Sequence, residues 1–345
     1  MPAVTPRIRV VALLAAALFT TAAPVTTAAL AGSLPPIDAT TSLLVVSPHP
    51  DDETLCCAGA IQRVLAAGGR VSVVWITSGD GSRLSLLFVE KSLFAPLEKV
   101  RDLAARRMRE ARAATALLGV PGTQQLFLGY PDGGVLKLLT DSPTNVHPAR
   151  FTEETHVPYS DALFPGHPYT GESLERDFTA VLDRVRPTLI LAPSLEDTHP
   201  DHQASGLLTI RTLTRRGELA KARYWIVHGG EGWPEPRGYM PGIPLNTSPC
   251  ARGLGSTPFV LTNDEEERKL QAVRAYQTQM EVISAFLLAF VRTNELYSAI
   301  PAPLKSITAL KGSWVGASDP TDDPTHRRCA PADDRATRAA ASSGG

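Results

Sequence analysis

Leu43-Leu44-Val45-Val46-Ser47-Pro48-His49-Pro50-Asp51-Asp52-Glu53 passes in one step from a continuous apolar run to a cluster of imidazole and carboxylate. An apolar run without alternation is the pattern of a strand buried on both faces. The stretch that follows, Glu53 to Ala67, reads as a helix closed by Gly68-Gly69. Outward from this unit the same alternation repeats. Val71 to Thr77 is a second strand pattern, and Glu98 to Leu118 an amphipathic helix ended by Gly119. Gln125 to Tyr130, Thr188 to Ala192 and Tyr224 to His228 read as further strands, with helices over Glu172 to Val185 and His202 to Arg216. A long helix is expected over Asp264 to Phe290, its acidic opening Asp264 to Glu267 suiting a helix N-terminus. Short apolar strands alternating with helices imply an α/β fold: a mostly parallel sheet with helices on both faces, in a single domain.

Composition narrows the class. The chain has 345 residues, 34 Lys+Arg against 35 Asp+Glu, and is 43% hydrophobic, which suits a globular protein. Without an excess of basic charge it is not expected to bind nucleic acid. At the start, Arg7 and Arg9 precede the apolar run Val10 to Phe19, and Ala29-Leu30-Ala31 resembles a cleavage site. Residues 1–31 are therefore expected to be a signal peptide. The protein is expected to be secreted, with no stable membrane span after processing. The domain is placed at 32–318, and the Pro-, Asp- and Ala-rich stretch 319–345 is expected to be a disordered tail. In an oxidising compartment the four cysteines matter. Cys250 and Cys329 lie in Pro-rich sequence and are candidates to pair. Cys56 and Cys57 fall in an apolar helical stretch and read as small buried hydrophobes.

Ligands of open α/β sheets bind beyond the carboxyl ends of the strands. Two of those ends carry the same triplet: His49-Pro50-Asp51 after the first strand and His199-Pro200-Asp201 after the fourth. Imidazole and carboxylate are good zinc ligands. His49 and Asp52 are three residues apart, as are His199 and His202, so each pair can share one helix face. A catalytic zinc takes three protein ligands and keeps an open position for water. More groups are available than that, which leaves some for acid–base work. Adjacent Asp51 and Asp52 would repel each other if buried without a cation.

These motifs, HPDDE and HPDH, resemble those of the N-acetylglucosaminyl-phosphatidylinositol de-N-acetylase (PIG-L/LmbE-like) family. Supporting segments are Thr77 to Gly81, Arg107 to Glu110 running on to Leu117-Leu118-Gly119-Val120, and Leu128 to Gly133. The resemblance implies a Rossmann-like, zinc-dependent hydrolase that removes the N-acetyl group from an N-acetylglucosamine-type sugar. By position it implies His49, Asp52 and His202 as zinc ligands and Asp51 as general base, with His199 stabilising the oxyanion. Spacing alone does not separate His199 from His202. The implied partner is an amino-sugar glycan, a glycolipid or a glycosylated small molecule. Cys56-Cys57-Ala58-Gly59 departs from the Gly-rich sequence usual in relatives, which bears on local helix packing.

Other polar residues at the same sheet end are weighed more lightly. Asp80, Arg83 and Asp132 are candidate substrate contacts. Glu53 is read as favouring the helix N-terminus, and Arg106, Arg107, Arg109 and Arg112 as a solvated helix face. His147, His156 and His167 are read as surface loop histidines, and Trp233 and Tyr239 as loop anchors or sugar platforms. The rival functions are a zinc amidase on a non-sugar amide and a secreted glycan-binding protein without turnover.

Overall fold

The computed structural model describes residues 34–81, 97–251, 253–301 and 329. The expected signal peptide, Arg83 and, apart from Cys329, the expected tail lie outside the described residues.

The first half of the sheet is built by β1 (Ser42–Ser47), α1 (Asp52–Ala66), β2 (Arg70–Thr77), α2 (Leu97–Leu117) and β3 (Gln125–Tyr130). A short α3 (Val135–Thr140) and α4 (Gly171–Val185) lead to β4 (Leu189–Pro193), α5 (Pro200–Arg216) and β5 (Ala222–Trp225). The five strands pair in the order β3-β2-β1-β4-β5, all parallel. β1 is the central strand; Leu43 sits between Val71 of β2 and Leu189 of β4 in register, and every residue of β1 is buried. This is the doubly wound order. The chain builds outward from β1 to β3, then returns to place β4 on the other side of β1. Right-handed crossovers in opposite directions put the helices of the two halves on opposite faces.

The contacts agree with that division. α1 and α2 pack with α6 (Asn263–Arg274) and α7 (Gln277–Leu288), whereas α3, α4 and α5 pack with one another. No described helix is both long and apolar enough to cross a membrane. Two short strands, β6 (Thr257–Val260) and β7 (Asn294–Tyr297), form an antiparallel ribbon that the strand patterns do not announce. Ser298 joins it to β5 by exchanging backbone hydrogen bonds with Tyr224.

The expected long helix over Asp264–Phe290 is two helices. The break falls at Ala275–Tyr276, where the Tyr276 hydroxyl turns inward to the Glu53 carboxylate. Glu110 on α2 then caps the new start, accepting from the Thr278 amide at 3.1 Å and hydroxyl at 2.6 Å. Periodicity continues through such a break because both halves bury one face.

α1 is anchored along its length by the C-terminal part of the chain. The Gly59 and Ala60 amides donate to Glu295 at 2.8 and 3.2 Å. The Leu55 and Cys56 carbonyls accept from Lys269 Nζ at 2.7 Å and the Tyr297 hydroxyl at 3.1 Å. Glycine at 59 permits this approach: a Cβ there would meet Leu261 Cδ2 at 1.9 Å. Cys56 and Cys57 are buried, as a small apolar pair would be, but they are bonded to each other. Cys250 and Cys329 form the second disulfide, across 79 residues of sequence.

A bond closing so long a loop restricts the unfolded chain strongly. Replacing Cys250 and Cys329 with Ser is expected to lower stability by about 2–4 kcal/mol, read from denaturant unfolding without reductant. An unchanged midpoint would show that the bond does not constrain the chain.

Candidate active site

The switch between β1 and β4 opens a crevice at their carboxyl ends, and both His-Pro-Asp segments enter it. His49 follows β1, and Asp52 is the first residue of α1. His199 caps the N-terminus of α5, and His202 lies in that helix's first turn. His49 Nδ1 and Asp52 Oδ2 are 3.3 Å apart, His202 Nε2 and Asp52 Oδ2 3.1 Å, and His202 Nε2 and His49 Nδ1 3.3 Å. A tetrahedral zinc with ligands near 2.05 Å has ligand–ligand edges of roughly 3.3 Å. The donor set therefore fits such an ion in both chemistry and size. The histidine trio His49, His199 and His202 also brings ligand atoms within 4.8 Å of one another.

Carboxylates fix the rings. Asp197, fully buried, accepts from His202 Nδ1 at 3.0 Å, which in the neutral ring leaves Nε2 as the unprotonated nitrogen directed at the triad. Its oxygens also accept the amides of His199, Val227 and His228 at 2.8, 2.9 and 3.0 Å. On the far side of His49, Nε2 lies 3.2 Å from Asp132 and 3.3 Å from Asp201. Asp201 in turn accepts from the Gly133 and Val135 amides at the start of α3. Burial alone would lower the His202 imidazole, but Asp197 and Asp52 hold it up to about 9. Burial would raise Asp52, but His202 pulls it well below the usual carboxylate range.

Asp51 is held differently. Its backbone has φ 134°, a region L-residues rarely occupy, and its amide donates to Glu53 Oε2. Arg107 of α2 reaches in from below, donating to the Pro50 and Gly79 carbonyls at 3.0 Å each, with Nη2 3.5 Å from Asp51 Oδ2. Burial, reinforced by Asp52, pushes the Asp51 carboxyl up to about 8. A carboxyl so placed is suited to take a proton near neutral pH.

Several residues sit differently from their sequence reading. Glu53 is not merely a helix-start charge. It is fully buried and accepts from Trp75 Nε1 at 2.8 Å, Ser47 Oγ at 3.2 Å, and the Tyr276 and Thr54 hydroxyls. Arg107 is buried beside Asp51 instead of belonging to a solvated face. Asp80 is buried, accepting from the Tyr159 hydroxyl at 2.8 Å and the Asp132 amide at 3.2 Å. Asp132 faces His49 and accepts from the Gly81 amide at 3.0 Å. His167 pairs with Asp177 and stacks on Phe164, away from the crevice, and His147 and His156 do not converge with it. Trp233 is buried and donates to the Asn246 carbonyl. Sequence reasoning gave no role to Asp197, Asp201 or His228. Asp201 belongs to the second His-Pro-Asp triplet, Asp197 lies between the fourth strand pattern and that triplet, and His228 closes the fifth strand pattern, so their signal was position at a strand end.

A histidine–carboxylate triad sized for a metal, beside a buried carboxyl of raised proton affinity, is a hydrolytic centre in its chemistry. Comparison with known proteins agrees. Residues 44–213 match the family model PIG-L, GlcNAc-PI de-N-acetylase. The chain is 27% identical over 252 residues to a 1D-myo-inositol 2-acetamido-2-deoxy-alpha-D-glucopyranoside deacetylase of Mycobacterium sp. (strain KMS), covering 70% of this chain and 74% of that one. It is 28% identical over 287 residues to the deacetylase of the same name from Tsukamurella paurometabola, covering 74% and 88%. Among solved structures it is similar to the A40926 pseudoaglycone deacetylase, at TM-score 0.49 and 19% identity over 77% of this chain and 99% of that one. Residues 44–213 thus form a PIG-L family domain, and the curated relatives that the chain resembles are deacetylases.

Two outcomes are expected from these contacts. Asp197→Ala removes the partner that orients His202, and should weaken metal affinity about 10- to 100-fold by chelator competition; unchanged affinity would mean Asp197 only ties loops together. Burial, with Asp132 nearby, pushes Asp80 up to about 6 from an ordinary 3.8. Between those values the folded chain keeps a proton the unfolded chain has lost, so stability falls as pH rises through the window. The effect is at most about 3 kcal/mol. Asp80→Asn should flatten the urea midpoint between about pH 4 and 6, and an unaltered slope would contradict this.

Proposed function

We propose that this protein is a secreted, zinc-dependent hydrolase that removes the acetyl group from an N-acetylglucosamine-type sugar, releasing acetate and a free amine. The observation that carries the reading is the His49–Asp52–His202 triad, with edges of 3.1 to 3.3 Å, next to Asp51. The relatives named above act on a 2-acetamido-2-deoxy-glucopyranoside of inositol, which supports an amino-sugar glycan, glycolipid or glycosylated small molecule as substrate. Two disulfides support an oxidising compartment and hence export.

His49, Asp52 and His202 would hold the ion, which when bound supplies Lewis acidity and makes an attacking water more acidic. Asp51 takes the proton of that water and carries it to the departing amine. Arg107 stays against Asp51 and steadies its charged form. His199 Nδ1 accepts from the Asp201 amide at 3.2 Å, so the proton of the neutral ring resides on Nε2. From there His199 donates to the oxyanion that develops on the acetyl carbonyl. Asp80, Arg83 and Asp132 remain candidates for the sugar side. A glycan-binding protein without turnover is disfavoured, because it gives no reason for five reactive side chains to converge.

Acetate release from a panel of N-acetylglucosamine conjugates should be abolished by a chelator and restored by zinc. Asp51→Asn should keep its metal and lose about 10²- to 10⁴-fold in turnover. His202→Ala should lose the metal. Full activity in Asp51→Asn, or full metal content in His202→Ala, would overturn the corresponding role.

A further inference from the structure

We propose that His228 is a further catalytic residue, donating a hydrogen bond to the acyl oxygen of the substrate alongside His199. The proposal rests on the reading of the site as an amide hydrolase and deepens it. His228 stands just beyond the carboxyl end of β5, at the same sheet edge as the two His-Pro-Asp segments. Its ring lies 4.7 Å from that of His202 and 5.0 Å from that of His199, centroid to centroid. One of its ring nitrogens is within 4.8 Å of the Asp52 and His202 ligand atoms. It therefore joins the polar cluster itself and is not merely a neighbour of it.

The fold also fixes where this ring sits. The His228 amide donates to Asp197 at 3.0 Å, and its carbonyl accepts from the Thr198 amide at 2.9 Å and hydroxyl at 3.0 Å. The ring stacks on Phe286 of α7 at 5.6 Å and 15°, and Arg237 lies 5.0 Å from the Phe286 centroid. Asp197 thus sets three histidines at once: the His202 ring and the backbones of His199 and His228. Packing against Phe286 needs only a flat ring. An imidazole whose edge enters the reactive cluster adds a donor, and a donor placed in advance is most effective where charge develops in the reaction.

The test separates shape from hydrogen bonding. His228→Phe keeps a flat ring against Phe286 and loses the donor; His228→Gln keeps a donor. In full-length mature protein, His228→Phe should lower kcat about 10²-fold, and His228→Gln should recover at least about tenfold of that. KM should stay within about threefold, with metal content and melting temperature unchanged. Acetate, the product of any N-acetyl hydrolysis, serves as an activity-independent probe. Its affinity by calorimetry should fall in the Phe variant and return in the Gln variant. Loss of metal in His228→Phe would make His228 a ligand and overturn the proposal. So would a kcat within about twofold of wild type, or equal loss in both variants. If the wild type releases no acetate from any sugar conjugate, the substrate reading fails, and the acetate titrations still decide the role of His228.

Discussion

Six carboxylates meet in the crevice between β1 and β4: Asp51, Asp52, Glu53, Asp132, Asp197 and Asp201. Each buried carboxylate costs several kcal/mol unless it is hydrogen-bonded or paired. Much of the surrounding structure is the compensation. Three helix N-termini face the cluster. Asp52 opens α1, Asp201 lies in the first turn of α5, and Asp201 accepts the first amides of α3. Arg107 is the one permanently charged cation paired with these carboxylates among the described residues. The balance is negative, and a divalent cation is the simplest group that corrects it.

The C-terminal part of the chain belongs to this arrangement as much as the sheet does. The family match ends at residue 213, yet Tyr276 holds Glu53, and Lys269, Glu295 and Tyr297 grip the middle of α1. Glu53 in turn accepts the Asp51 amide, at a backbone conformation that costs about 1–3 kcal/mol. An unusual conformation persists only where its neighbours over-determine it. Here the restraint runs from β7 and α6 through α1 to Asp51. The chemistry of the N-terminal motif depends on elements more than 200 residues downstream.

The sheet was readable because parallel strands are buried on both faces, and LLVVS and VSVVWIT show that burial as unbroken apolar runs. The site was readable because both histidine motifs sit directly after such runs. What escaped was whatever depends on long-range hydrogen bonding. The break before Tyr276 has no Pro or Gly to mark it; it exists because a hydroxyl finds Glu53 and because Glu110 caps the next turn. Arg107 shares its helix with four other arginines, and nothing in their spacing says which one is buried. The disulfide between Cys56 and Cys57 closes almost no loop, so neither spacing nor chain entropy points to it.

Spacing left His199 and His202 equivalent; what their second nitrogens touch does not. The far nitrogens of His202 and His49 face carboxylates, Asp197 for one and Asp132 with Asp201 for the other. A carboxylate behind an imidazole makes the ring more basic and fixes an unprotonated nitrogen forward, as a ligand requires. The Nδ1 of His199 instead accepts a backbone amide, which leaves the proton on the other nitrogen, as a donor requires. One residue type is thus divided into two roles by its second partner. That partner follows from position: the N-cap of α5 must satisfy the helix's own amides, and a residue one turn further in is free to turn its ring to Asp197. The order His-Pro-Asp-His therefore presents a donor first and a ligand second, which supports the roles proposed for His199 and His202.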